Sequence, residues 1–317
     1  MKRHGYLFEK VIDLDNLRLA VKNAARGKTK FKQVRKFFQE NKDDCLLLEL
    51  QKTLKEGKFK TSKYERVTKY EGKKEREIYK LPFYPDRIVQ HAILQITSKY
   101  FLDHFSLHSY SSVRGRGIHK CFHDVKRVLK KFPVETKYCL KVDVTKFYNS
   151  INHTALKSKL SKIFKDKKLL NLLFEIVDSF STKEDTGVPI GNYLSQYFGN
   201  LYLGELDRIL ESKSFKFFRY MDDIVLLDRS KEKLRSLLNL IGESFSNLKL
   251  KLKRNFQIFK TTLRPLDFVG YRYFKNFQKV RKEIAKRAMR CSEKGKPSYI
   301  GWFLHSKQYS FIVSFLL

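Results

Sequence analysis

Phe215-Lys-Phe-Phe-Arg-Tyr220-Met221-Asp222-Asp223-Ile224-Val-Leu-Leu227 is the stretch that decides the fold. Aromatic and apolar residues run up to Tyr220, the triplet Met221-Asp222-Asp223 interrupts them, and an apolar run resumes at Ile224. Two such runs across a tight turn read as a β-hairpin with two carboxylates at its tip. An Asp-Asp pair alone usually marks a solvated turn or a helix cap. Asp43-Asp44, in a helical context with no partner strand, is read that way. Asp222-Asp223 is different because core-forming strands flank it on both sides.

Working outward, Tyr138, Leu140 and Val142 alternate with Cys139, Lys141 and Asp143, a strand that ends in a carboxylate. Between this strand and the hairpin lie helical stripes, one of Leu169, Leu172, Leu173, Ile176, Val177 and Phe180, another of Leu194, Phe198, Leu201, Ile209 and Leu210. After the hairpin come a helix with Leu234, Leu237, Leu238, Ile241 and Phe245, then residues 248–252, which alternate Leu and Lys as a last strand. The order β-α-β-β-α-β is the split βαβ arrangement, an α+β fold. That topology carries the end of the first strand to the tip of the central hairpin. Asp143 is therefore expected to meet Asp222 and Asp223, with the Val144 carbonyl as an additional ligand. Hard oxygen donors of this kind suit Mg2+. Two such ions, roughly 4 Å apart, can hold the attacking and leaving oxygens of an in-line phosphoryl displacement. Two Mg2+ ions are expected, with Mn2+ as a substitute.

The 317 residues carry 67 Lys and Arg against 33 Asp and Glu, a net charge of +34. Such an excess calls for a polyanionic partner. The cations run through the whole chain, and 14 % of residues are aromatic, which suits stacked bases among phosphates. Cys45, Cys121, Cys139 and Cys291 have neither metal-ligand nor disulfide-framework spacing and read as reduced thiols. No apolar leader and no bilayer-length run is visible, so a cytoplasmic protein without membrane contact is expected. The apolar end, Phe311 to Leu317, is expected to dock on the body. Residues 15–55 read as helices, and residues 58–83 as a basic hairpin around the turn Glu71-Gly72-Lys73-Lys74. Helical spacing returns from Asp86.

These motifs, in this order, resemble reverse transcriptases. Tyr220-Met221-Asp222-Asp223 looks like their catalytic hairpin, Leu140-Lys-Val-Asp143-Val-Thr-Lys-Phe147-Tyr148 like their first acidic motif, and Leu266-Asp-Phe-Val-Gly270-Tyr271 like their primer grip. The resemblance covers about residues 55 to 275. It implies a right-hand polymerase: N-terminal helices and fingers over 1–136, a palm over 137–274 with fingers elements interleaved near 154–190, and a short helical thumb over 275–317. It places Tyr148, beside Phe147, where a ring excludes the ribose 2′-hydroxyl, and Arg76 on the nucleotide phosphates; Lys74, in the same basic hairpin, is a further nucleotide-binding candidate or part of a solvated turn. Arg114, Arg116, Gly270 and Tyr271 would touch template or primer. Many polymerases carry a lysine after the last palm strand; the corresponding position here falls closest to Asn255, which leaves the general acid unassigned.

Most reverse transcriptases have Gln-Gly followed by Ser-Pro where this chain has Ile190-Gly191 and Ser195-Gln196. That departure resembles the enzymes of diversity-generating retroelements, in bacteria and phages. The resemblance implies low fidelity at template adenines, with a structured template RNA, the cDNA/RNA duplex, dNTPs and a small basic accessory variability protein oligomer as partners. Ile190, Gly191 and Gln196 would then border the incoming nucleotide. The alternatives are another prokaryotic reverse transcriptase (retron, group II intron or phage-defence type), a non-catalytic RNA-binding scaffold, and an RNA-dependent RNA polymerase, which Tyr148 opposes.

Overall fold

The computed structural model describes residues 3–308 except 72 and 73. Two expectations lie outside the described residues: the centre of the turn at Gly72-Lys73, and docking of Phe311 to Leu317. The chain begins with α1 (Phe8–Val11), α2 (Leu14–Ala25), α3 (Lys32–Glu40) and α4 (Cys45–Lys55), then the hairpin β1 (Glu65–Glu71) and β2 (Lys74–Lys80). Helices α5 (Ile88–Leu102) and α6 (Ile118–Lys131) lead to β3 (Tyr138–Val142). There follow α7 (Phe147–Ser150), α8 (His153–Ile163), α9 (Lys167–Asp178), α10 (Tyr193–Tyr202) and α11 (Gly204–Lys213). The hairpin β4 (Lys216–Tyr220) and β5 (Asp223–Asp228) comes next, then α12 (Lys231–Asn247) and β6 (Gln257–Lys260). Strands β7 (Leu266–Phe268), β8 (Tyr271–Tyr273) and β9 (Gln278–Val280) precede α13 (Lys282–Ala288) and α14 (Lys296–Ser306).

The chain packs as two compact units. The first comprises Met1–Phe105, Lys146–Gly204 and Leu248–Leu250; the second comprises Ser106–Thr145, Glu205–Asn247 and Lys251–Leu317. Residues 106–136, grouped above with the N-terminal part, thus pack within the second unit.

In the first unit, the expected apolar stripe of α9 is buried from Leu169 to Val177. Its N-cap, Asp166, accepts from Leu169 N and also from Leu7 N and Phe8 N at 2.8 and 2.9 Å. One carboxylate thereby satisfies amides at the starts of both α1 and α9, which have no intrahelical partner. Gln90 of α5 does the same for α10, accepting from Tyr193 N and Leu194 N at 3.1 and 3.4 Å.

The second unit holds a four-stranded antiparallel sheet in the order β4-β5-β3-β6. Counted within the motif this is 2-3-1-4, the split βαβ order. Helix α12 packs on β3 and β5. On β4 and β5, Phe218, Val225 and Leu227 share a core with Cys121, Phe122 and Val125 of α6 and with Phe268, Tyr271 and Tyr273 of the β7-β8-β9 sheet. The last strand of the motif is not at 248–252. Leu252 only bridges Val144, and β6 begins at Gln257. The Leu/Lys alternation reported which side chains face inward, not a ladder.

β7 and β8 join through Val269-Gly270, with φ of 44° and 84° at the two turn positions. Both lie in the left-handed region, as a two-residue hairpin turn demands. A Cβ on Gly270 would meet the Trp302 ring at 2.5 Å, so only glycine lets α14 approach this turn.

Candidate active site

Asp143 follows β3 directly, and Val142 pairs with Ile224 in the antiparallel ladder. One step further along that register, Asp143 faces Asp223. Asp222 occupies the turn between β4 and β5, preceded by Met221 at φ 58°. A left-handed non-glycine residue costs backbone energy and persists only where its surroundings enforce it. Arg219 supplies the enforcement. Its Nη1 donates to the Met221 carbonyl at 2.9 Å, while Nε and Nη2 donate to the two Asp207 oxygens at 2.7 and 2.6 Å. Arg219 and Asp207 are both fully buried. A bidentate pair of this kind fixes the plane of the guanidinium and hence the carbonyl it holds.

The three acids are electrostatically crowded. Burial, then repulsion from Asp143, pushes the Asp222 carboxyl up to about 6. Burial also raises Asp223, with Lys141 opposing the shift. Asp143 and Asp223 keep 30 and 32 % of their side-chain surface exposed, so the cluster is open on one side. Two lysines partly neutralise it. Lys253 Nζ lies 2.6 Å from Asp143 Oδ2, and its backbone amide donates to the Asp143 carbonyl at 3.0 Å. Lys141 Nζ lies 3.3 Å from Asp223 Oδ2 and donates to the Asp267 carbonyl at 2.7 Å. Asp223 Oδ1 is buried with no hydrogen-bond partner.

Among the described residues, no three His, Cys, Asp or Glu side chains already form a metal cage. The donor set nevertheless fits a hard divalent cation. It is all carboxylate, it carries more negative charge than two ammonium groups remove, and it keeps a buried oxygen without a donor.

Sequence reading singled out the acids but not Lys253, Lys141 or the Arg219–Asp207 pair. Lys251 and Lys253 flank Leu252 at a spacing of two, which does place both on one side of an extended segment. Nothing local marks Arg219, because its partner lies on another element. Val144 is buried and bridges Leu252.

The other expected site residues are placed as follows. In the second unit, Arg114 is exposed. Arg116 Nη1 donates to the Ser106 and Ser109 carbonyls at 2.6 and 3.0 Å. Tyr271 is fully buried, with its hydroxyl 3.0 Å from His119 Nδ1, so it supports the Gly270 turn from beneath. In the first unit, Arg76 is exposed on β2 opposite Lys69, and Lys74 opens that strand. The Ile190 carbonyl accepts from Tyr79 N at 3.0 Å, and a Cβ on Gly191, at φ 111°, would lie 2.8 Å from Ile78. The Ile190-Gly191 segment is thus clamped against the basic hairpin. Phe147 is buried, Tyr148 is half-buried with its ring 5.4 Å from that of Phe147, and Gln196 is half-buried on α10.

Residues 67–273 match the family model described as "Reverse transcriptase (RNA-dependent DNA polymerase)". The group II intron-encoded protein LtrA of Lactococcus lactis subsp. cremoris is 24 % identical over 175 residues, 53 % of this chain and 28 % of that protein. Protein YkfC of Escherichia coli (strain K12) is 23 % identical over 140 residues, 42 % of this chain and 37 % of that protein. The chain therefore spans well under half the length of these relatives. Apo telomerase from Candida tropicalis superposes with a TM-score of 0.55 at 13 % identity, covering 77 % of this chain and 52 % of that one. At that identity the likeness is one of fold. No helix among the described residues is long and apolar enough to cross a membrane.

Proposed function

The chain belongs to the reverse transcriptase family, and from that premise we propose that it copies RNA into DNA, with Asp143, Asp222 and Asp223 as its catalytic acids. The observation that carries this reading is the crowded carboxylate cluster at the β4–β5 tip, in which Asp223 Oδ1 is buried without a donor. When bound, divalent magnesium would neutralise the developing charge on the attacking and leaving oxygens. The chain's own residues do the rest. The three acids supply hard oxygens, and Arg219 holds the turn that carries two of them. Of the two ammonium groups at the cluster, Lys253 is the more exposed, and so the candidate proton donor to the leaving pyrophosphate. In this reading the parts are fingers within 1–136, a palm within 137–274 and a thumb within 275–317. Tyr148 selects deoxyribose, Arg76 and Lys74 meet the triphosphate, and Arg114 and Arg116 lie toward the template. The Val269-Gly270 turn, held by Tyr271, meets the primer. The charge of +34 supports RNA as the partner.

The finer reading is a diversity-generating enzyme, error-prone at adenines, working with a structured template RNA and an accessory protein. Its support is Ile190-Gly191 with Gln196. An Ile side chain cannot hydrogen-bond the nascent pair as a Gln amide can, and removing one such contact shifts discrimination by about 1–3 kcal/mol. The likeness to LtrA favours a second reading, a group II intron-type reverse transcriptase.

Both levels are tested by extending a DNA primer on one RNA containing all four bases, with and without candidate accessory protein, and sequencing the product. Wild type should extend, and Asp222→Ala/Asp223→Ala should not. Misincorporation should concentrate opposite adenine and fall in Ile190→Gln. Accurate copying of adenine under both conditions would remove the diversity-generating reading and leave the intron-type one.

A further inference from the structure

Among the described residues, the two sheets of the second unit share no strand pairing: β4-β5-β3-β6 carries the acids, and β7-β8-β9 carries the Val269-Gly270 turn. The apolar core between them is non-directional, so it holds the sheets together without fixing where one sits along the other. Polar contacts supply that direction. Lys141 leaves β3, and its Nζ donates to the Asp267 carbonyl of β7 at 2.7 Å while lying 3.3 Å from Asp223 Oδ2. Asp267 Oδ1 accepts from Arg281 Nε, and the Arg281 amide donates to the Gly270 carbonyl at 2.9 Å. A path of directional contacts thus runs from a carboxylate of the cluster to the glycine of the turn.

A lysine needed only to neutralise Asp223 would aim at the carboxylate and leave its remaining hydrogens to water. Lys141 does otherwise. Its shorter contact is with the backbone of the other sheet, and only 24 % of its side chain is exposed. Strand β7 lies at the edge of its sheet, where outward carbonyls have no further strand to pair with, and the ammonium group takes one of them. We propose that Lys141 is a positioning residue: by bridging Asp223 and Asp267 it sets the distance between the acid cluster and the Val269-Gly270 turn, and so the alignment of a primer 3′-hydroxyl with the acids. The proposal rests on reading the cluster as a polymerase site and the turn as its primer contact.

The test separates bridging from neutralisation in the full chain, with Lys141→Met, Lys141→Arg and Asp267→Asn. The last variant keeps the backbone carbonyl and the Lys141 charge and removes only the anion that holds Arg281. Were Lys141 a neutraliser alone, losing that anion would leave extension unchanged or faster. Bridging predicts that kcat falls about tenfold in Lys141→Met and about threefold in Asp267→Asn, with KM for dNTP and primer–template affinity within about twofold of wild type. Lys141→Arg, which still reaches both partners, should recover kcat to within about threefold of wild type. A second readout needs neither metal nor substrate: backbone amides of β7 to β9 should exchange hydrogen about tenfold faster in Lys141→Met, while those of β3 to β5 keep their rates. Unchanged exchange in Lys141→Met, an unchanged kcat in either Lys141→Met or Asp267→Asn, or a loss carried by KM would each overturn the proposal and leave the polymerase reading standing. A wild type that extends no primer would instead overturn the polymerase reading, and the role given to Lys141 with it, whatever the exchange rates show.

Discussion

Asp207 and Asp222 lie in the same unit and meet opposite electrostatic surroundings. Asp207 is fully buried and receives two nitrogens of Arg219, at 2.7 and 2.6 Å. Asp222 is held against Asp143, with its carboxyl raised to about 6, and neighbouring Asp223 keeps a buried oxygen with no donor. Charge is matched in the first site and left over in the second. A folding chain has no reason of stability to gather three carboxylates where they repel, so the surplus points to something the cluster binds. The matched pair beneath it makes the surplus tolerable by locking Met221 and the turn.

Breaking the matched site should cost most. Asp207→Ala leaves the Arg219 guanidinium buried without its anion, and unfolding free energy should fall by about 3–5 kcal/mol. Denaturant titration measures this; a loss under about 1 kcal/mol would show that the pair does not anchor the turn. Tyr148 comes next, because the same distinction applies to an aromatic. If it selects the sugar, Tyr148→Ala should raise ribonucleotide incorporation about tenfold, or about 1.4 kcal/mol, with little change in melting temperature. A loss of stability with an unchanged sugar ratio would place it with the matched, structural groups. The smallest effect on stability should come from Lys253. Its side chain is 41 % exposed and its ion pair with Asp143 thus solvent-screened, so removing it costs stability less than about 1 kcal/mol. Removing a cation raises the proton affinity of nearby carboxylates. Lys253→Met should therefore move the acid limb of the pH–rate profile to higher pH. An unmoved limb would mean that Lys253 does not share the acids' charge.

The sequence made the unmatched site legible and the matched one not. Alternation along 138–143 and the two apolar runs around Asp222-Asp223 are local signals, and the split βαβ order converts them into a three-dimensional meeting. Arg219 sits in the middle of an apolar run, and its partner Asp207 lies on α11, so nothing near either residue announces the pair. The final strand was misread for a related reason. Leu248 and Leu250 are buried and produce a clean alternation, whereas all four residues of β6 are half-buried and produce none.

The most direct measurement follows Asp222→Asn for metal-free stability and for primer extension. Because folding raises this carboxyl's pKa, its stabilising contribution is complete below the unfolded value near 4 and is lost as pH rises through about 6. At pH 7.5 the variant should therefore be more stable than wild type by about 3 kcal/mol, an advantage that disappears near pH 4, while primer extension on RNA is abolished. A variant no more stable at pH 7.5, or one that extends within about tenfold of wild type, would contradict the claim that this surplus of charge is kept for catalysis.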